Sequence, residues 1–240
     1  MIAQANKDGI KKLRVHALLD GRDVDPTSAL NYISPLEEYL AGFDGCDYRI
    51  ASGGGRMYMT MDRYNADWSM VDRGWKAHVL GEGRQFASAT EAIEVYRAEN
   101  AGLLDQDMHE FVIAENGKAV GTIEDGDSVI YFNFRGDRAL EMTAAFETPA
   151  SADFPYFERK RVPSVEYAGM MEYDGDAHVP SQFLVNPPSI DRTMGEYLTK
   201  SGVRILAISE TQKYGHVTYF FNGNKQGKFD EKLEDYVEVP

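Results

Sequence analysis

The sequence predicts an α/β protein of layered sheet and helix, and three observations carry that expectation. Apolar runs of strand length recur at 13–19, 47–51, 111–113 and 129–132. They alternate with stretches whose apolar residues follow a helical period. The last of these runs also feeds directly into Asn133-Phe134-Arg135-Gly136-Asp137-Arg138, with a helical stretch following at 139–146. Strand, charged turn, helix is the arrangement at which α/β proteins collect anionic ligands.

Taken in order, residues 10–12 end a short helix and 13–19 form the first strand. Asp20-Gly21 marks a turn, and Pro26 with Thr27 and Ser28 opens a helix reaching about residue 43. Pro35 falls inside it and predicts a kink or a split. The strand 47–51 runs into a glycine loop, Ser52-Gly53-Gly54-Gly55-Arg56, whose backbone can approach another group closely and take positive φ. It is neither a Walker A loop nor a dinucleotide fingerprint. Residues 66–80 form a helix with the stripe Trp68, Val71, Trp75 and Val79. A second helix, 88–100, opens on the capping box Ser88-Ala89-Thr90-Glu91. Asn116-Gly117 predicts a hairpin after the strand at 111–113. The run 129–132 reads as a buried strand, and 165–170 as a further one. Residues 184–188 read as a linker, after which a βα pattern resumes: helix 193–200, strand 203–208, polar turn 210–216 and an apolar run 217–221.

Composition excludes several classes. The 240 residues are 43% hydrophobic and 27% charged, ordinary for a folded soluble chain. A net charge of −14 disfavours nucleic acid and anionic membranes as partners. The first residues lack the apolar core of a signal peptide, and no apolar stretch has membrane-spanning length. The single cysteine, Cys46, rules out an internal disulfide, fits a reducing cytoplasmic setting and reads as a small buried residue.

The chemistry is concentrated in basic turns at expected strand ends: Arg22 with Asp23, Arg56 with Arg63, Arg135 with Arg138, and Lys213. Paired guanidiniums suit phosphate or carboxylate, because each planar fork donates two parallel hydrogen bonds. The alternative is surface arginines bridging nearby acids such as Asp137 and Glu141. Asp20, Asp23, Asp62 and Asp137 are positioned in sequence to offset repulsion among the arginines. The five histidines show no metal-ligand spacing, no Gly-x-Ser-x-Gly elbow is present, and His16 reads as a satisfied core histidine. These residues give an anion site but no reaction.

Four motifs add a resemblance. They are Leu19-Asp20-Gly21-Arg22-Asp23-Val24, Ala51-Ser52-Gly53-Gly54-Gly55-Arg56-Met57-Tyr58 with Met61-Asp62-Arg63-Tyr64, Phe132-Asn133-Phe134-Arg135-Gly136-Asp137-Arg138, and Ser209-Glu210-Thr211-Gln212-Lys213-Tyr214-Gly215-His216-Val217. In this order and at these gaps the chain resembles the cofactor-independent (2,3-bisphosphoglycerate-independent) phosphoglycerate mutases, notably their plant and trypanosomatid-like branch.

The resemblance implies a two-domain isomerase of the alkaline phosphatase superfamily, serving glycolysis and gluconeogenesis. It would interconvert 3-phosphoglycerate and 2-phosphoglycerate through a phosphoserine. One domain would carry two divalent metal ions, manganese or magnesium, and the other the substrate. Residues 1–186 would be a substrate-binding (phosphotransferase) domain of the mutase type, and 187–240 a partial metal, phosphatase-like segment. Arg22 and Asp23 would contact substrate, with Asp23 also transferring a proton. Arg56, Arg63, Arg135 and Arg138 would hold phosphate and carboxylate. Lys213 would stabilise the transferring phosphoryl group. The family's nucleophilic serine segment and its metal-ligating Asp and His residues have no counterpart here. The chain is therefore expected to bind no metal, to turn over nothing alone, and to need the N- and C-terminal metal-domain segments as partners. An excised piece and a split gene product both fit. The alternatives are a non-catalytic phosphate-ligand binding module or another phosphomutase of the superfamily.

Overall fold

The computed structural model describes every residue except Arg63, Tyr64, Asp176, Pro187, Pro188, Ser189, Asn224, Gln226 and Pro240. The arginine expected at 63 and part of the expected linker therefore lie outside the described residues. The chain forms two compact units, Met1–Leu184 and Val185–Pro240.

The first unit opens with α1 (Ile2–Lys7), which stops short of residues 10–12. Its central sheet holds β1 (Lys12–Leu19), β2 (Asp47–Gly55), β3 (Arg84–Phe86), β4 (Phe111–Glu115) and β5 (Lys118–Ala119), in the order β1-β2-β4-β3 with β5 on β4. β1 and β2 run parallel, in a register that sets Leu19 against Gly55. β4 runs antiparallel to β2. The Asn116-Gly117 hairpin forms as expected, with φ of 51° and 74°.

The glycines expected in a loop instead complete β2, with none of the three at positive φ. Close approach is what they provide. A Cβ on Gly53 would lie 2.6 Å from the Phe111 ring and 2.7 Å from the Ala17 carbonyl, and one on Gly55 would lie 2.6 Å from the Met108 amide. Side chains there would push β4 and the 105–108 turn off the sheet.

The helices α2 (Leu30–Ala41) and α4 (Ala89–Glu99) cover one face of this sheet, with Ile33, Leu40, Ile50, Ile93, Phe111 and Ile113 in the shared core. α2 runs through Pro35 without a break. Its start is later than Pro26, because the amide of Ala29 is capped from afar by buried Asp105, at 2.7 Å. Ser88 caps α4 by accepting from the Glu91 amide at 3.0 Å, while the Glu91 carboxylate takes the Ala87 amide rather than that of Ser88.

A second core joins α3 (Trp68–Trp75), its π-helical continuation Lys76–Leu80, and α5 (Leu140–Glu147). Trp75, Val71 and Val79 are fully buried there, each such side chain contributing roughly 1.5–3 kcal/mol. Against it lies a small sheet, β6 (Ser128–Tyr131), β7 (Glu166–Met171) and β8 (Phe183–Val185), in that order. β6 presents one face to this core, so Val129 and Tyr131 turn inward while Ile130, on the other face, stays 41% exposed, and Phe132, just past the strand, 68% exposed. The fully buried strand expected at 129–132 is therefore half open.

In the second unit, α6 (Met194–Lys200) is capped by Thr193. β9 (Ile205–Glu210) pairs in parallel with β10 (Glu234–Val239). The turn expected at 210–216 is instead the helix α7 (Thr211–Gly215), which continues as a π turn through Phe220. Among the described residues no helix is long and apolar enough to cross a membrane.

Candidate functional site

Parallel pairing explains the first half of the site. Because β1 and β2 run the same way with Leu19 opposite Gly55, Asp20 and Arg56 leave the sheet on one edge. The Arg56 amide donates to the Leu19 carbonyl at 3.0 Å. Its Nη1 donates to Asp20 Oδ1 at 2.6 Å and to Asp23 Oδ2 at 3.3 Å. The Arg56 side chain is only 14% exposed, whereas that of Asp23 is 72% exposed. Its Nε is buried and, among the described residues, has no acceptor. Arg22 stands exposed on the same turn. The structure thus joins Arg56 to Asp20 and Asp23, a half-buried cation with a buried donor unused and a partly neutralised charge.

The second half is the turn after β6. The Tyr173 hydroxyl bridges the carbonyls of Tyr131, at 2.9 Å, and Asn133, at 2.8 Å, and accepts from the Met170 amide at 3.0 Å. The Asn133 side chain accepts from the Arg135 amide at 3.1 Å. Arg135 closes on Asp137 at 3.1 Å with its side chain 55% exposed, so at this residue the surface-bridge alternative is what the structure contains. Arg138 is different: it is 7% exposed, and its Nη1 donates to the Met61 carbonyl at 2.7 Å. The turn after β6 is thereby tied to the segment that carries Asp62.

Asp62 and Glu141 form a buried acidic pair at this junction, 5% and 6% exposed. Asp62 accepts from the Asp67 amide at 2.6 Å and Glu141 from the Asn65 amide at 2.9 Å. Burial pushes the Glu141 carboxyl up to about 7; the Asn65 amide opposes this, and Asp62 adds to it by charge and hydrogen bonding.

Sequence reasoning missed a polar chain behind the arginines. His16 Nδ1 lies 2.7 Å from Ser52 Oγ, which lies 2.8 Å from His78 Nδ1, and His78 Nε2 lies 2.9 Å from Thr60 Oγ1. Burial, aided by Arg14, lowers His16 to about 4, and burial with His16 lowers His78 well below the usual range. Both imidazoles are neutral at physiological pH. His16 is the satisfied core histidine its strand predicted, but its partner arises from strand register, which no local pattern reveals. Cys46 is only partly buried and accepts from Asn6 Nδ2 at 3.2 Å.

Lys213 belongs to the second unit, exposed on α7, with exposed His216 tilted against the Phe220 ring, centroids 5.4 Å apart. In the first unit, a cleft of about 430 Å³ beside α4 is lined by Arg84, Tyr96, Glu99 and His109, not by the arginine turns. Its Arg84 is engaged by Glu99 through two bonds of 2.6 and 2.7 Å.

Residues 1–175 match the family model described as BPG-independent PGAM N-terminus (iPGM_N). The chain belongs to the BPG-independent phosphoglycerate mutase family. It is 57% identical over 241 residues to the probable 2,3-bisphosphoglycerate-independent phosphoglycerate mutase of Leptospira interrogans, an alignment that takes in 100% of this chain and 43% of that protein. It is 56% identical over 243 residues to the 2,3-bisphosphoglycerate-independent phosphoglycerate mutase of Trypanosoma brucei brucei, covering 100% of this chain and 44% of the relative. The crystal structure of Leishmania mexicana phosphoglycerate mutase at low cobalt concentration superposes with a TM-score of 0.85 at 56% identity, over 100% of this chain and 44% of that one. The chain thus spans less than half the length of these mutases. Nothing in these matches favours the alternative of another superfamily phosphomutase.

Metal ions implied by the family find no fit among the described residues. Among the described residues no group of three or more His, Cys, Asp or Glu side chains stands together as a donor set.

Proposed function

We propose that this chain is the phosphoglycerate-binding portion of a mutase that interconverts 3-phosphoglycerate and 2-phosphoglycerate through a phosphoserine. The observation that carries the reading is Arg56: a half-buried guanidinium at the shared end of two parallel strands, held by Asp20 and Asp23 with its buried Nε still unused among the described residues, within a motif of the family. Arg22, Arg63, Arg135 and Arg138 complete the anion-binding set, and Met1–Leu184 is its frame. Phosphoryl transfer depends mainly on positioning and charge neutralisation, which arginine turns supply. Asp23, the most open acid of the group, is the residue we assign to proton transfer. Lys213, on the second unit, is assigned to the transferring phosphoryl group. The nucleophile and both divalent metals, manganese or magnesium, come from the segments of the full-length mutase that have no counterpart here. The chain alone does not turn over, and its setting is the cytoplasm.

The test is titration of 3-phosphoglycerate into the chain by NMR. Weak binding should perturb the amides of residues 20–23, 56 and 133–138. Arg56→Lys should weaken it by roughly 1.5–3 kcal/mol, since lysine lacks the fork. No perturbation at high millimolar ligand, or turnover by the purified chain with metal added, overturns the reading.

A further inference from the structure

We propose that Thr60 is a positioning residue: held at positive φ by the His16–Ser52–His78 chain and by Gly74, it aims the segment that anchors Arg138 and Asp62. The inference rests on reading the arginine turns as an anion site.

Thr60 has φ of 70°. A β-branched residue in the left-handed region is strained and persists only where its surroundings over-determine it. Three contacts do so here. The Thr60 amide donates to the Met70 carbonyl at 2.7 Å, and its hydroxyl meets His78 Nε2 at 2.9 Å. Gly74 completes the seat: a Cβ there would lie 2.8 Å from Thr60 Cα and 3.0 Å from Thr60 Cβ. Met59, the residue before, is wholly buried.

The hydroxyl link is ordered through its whole length. Each neutral imidazole offers one donor and one acceptor, and Ser52 stands between two Nδ1 atoms. If Thr60 donates to His78, then His78 donates to Ser52, whose hydroxyl can donate on to His16; in the opposite sense His16 donates to Ser52, Ser52 to His78 and His78 to Thr60. In either direction both His78 nitrogens have a partner, so the array fixes the His78 ring and, with it, the Thr60 side chain.

The residues directly after Thr60 hold the arginine turns in place. The Met61 carbonyl receives Arg138 at 2.7 Å, and Asp62 accepts from the Asp67 amide at 2.6 Å. Arg56 lies four residues earlier in the same turn, which is closed by Tyr58 and Met59 amides donating to the Gly55 carbonyl at 2.9 and 3.1 Å. Relaxation of Thr60 to negative φ would turn the Met61 peptide away from Arg138. One strained residue therefore couples the turn after β2 to the turn after β6.

The experiment compares Thr60→Val, which keeps the shape and removes the hydroxyl, with Thr60→Ser, which keeps the hydroxyl. Backbone and arginine side-chain resonances are followed, with 3-phosphoglycerate as the added probe. Thr60→Val should displace Met61, Asp62 and the Arg138 guanidinium, and weaken binding about tenfold, the worth of one hydrogen bond to a buried partner. Thr60→Ser should restore both. If Thr60→Val fails to fold, Ser52→Ala breaks the chain two links away and should move the same resonances. Wild-type affinity in Thr60→Val, with shifts confined to residues touching position 60, overturns the positioning role. Displacement of Met61 and Arg138 in a chain whose wild type ignores 3-phosphoglycerate supports the coupling and overturns the ligand reading instead.

Discussion

The two units differ in what their sheets have to lie against. In Met1–Leu184 the central sheet has α2 and α4 on one face and the α3 layer on the other. In Val185–Pro240 the β9–β10 pair is covered on one side only. Its inner face carries Ala207, Glu234 and Tyr236. Its outer face leaves Leu206 at 62%, Ile208 at 53%, Val237 at 40% and Val239 at 45% exposure. The interior of the second unit is also largely polar: Glu234, only 1% exposed, accepts from the Phe229 and Asp230 amides and from Tyr236, and Asn222 is buried beside it. Such a centre holds its geometry by hydrogen bonds, whereas the first unit holds its own by apolar contact. The lesson concerns location: the turns of Arg22 and Arg56 sit on a sheet covered on both faces, and Lys213 on a unit whose sheet still presents an apolar face.

The largest expected contrast is in hydrogen exchange. Amides of β9 should exchange roughly 100-fold faster than those of β1, because an uncovered two-stranded pair opens locally at little cost. Equal protection in a proven monomer breaks the comparison.

Glycine substitutions sharpen it. Gly55→Ala should cost about 3 kcal/mol or more, since the added methyl would meet the backbone of Gln106 and Met108 in a packed interior. Gly202→Ala meets nothing within 4 Å and has only its φ of 74° against it, so about 1 kcal/mol is expected. Chemical denaturation of both variants reads the difference. A mild Gly55→Ala would mean that β4 and its turn yield more than the structure shows.

The smallest effect is one of pH. The Glu141 carboxyl is raised to about 7, so the folded state holds the proton more tightly than the unfolded one. The corresponding stability is present below the ordinary carboxylate range and is lost as pH rises toward 7. His16, lowered to about 4, has the opposite sign: its stability is present above the ordinary histidine range and lost as pH falls toward 4. Glu141→Gln should therefore raise the melting temperature of the first unit by roughly 2–4 °C at pH near 8, about 1 kcal/mol, and change it little at pH near 5. A pH-independent shift would mean that Glu141 is ionised throughout. Exchange in β9 should not respond to this variant.

Most helix and strand positions were legible because period and punctuation are local. The strand 12–19, the hairpin at Asn116-Gly117 and the α4 cap follow directly from neighbouring residues. Three readings went astray where the deciding partner was distant. The glycines of β2 are strand because Phe111 and the 105–108 turn press against them. The start of α2 is set by Asp105, 76 residues away in sequence. Ile130 is exposed because only one face of β6 lies against a core. The β10 strand, rich in acids, gave no signal at all.

The sequence by itself determined the α/β class, the basic turns and the family, since each depends on residue identity and spacing along the chain. Tertiary structure decided the surroundings of each arginine. The parallel register of β1 and β2 holds Arg56, half-buried, on Asp20 and Asp23, while Arg135 folds back on Asp137 in solvent. It also assembled His16, Ser52, His78 and Thr60, drawn from two strands, a π turn and a loop, into one chain. The physical reason is that desolvation and hydrogen-bond geometry are properties of neighbours in space, and strand register, which sets those neighbours, is fixed only when the sheet closes.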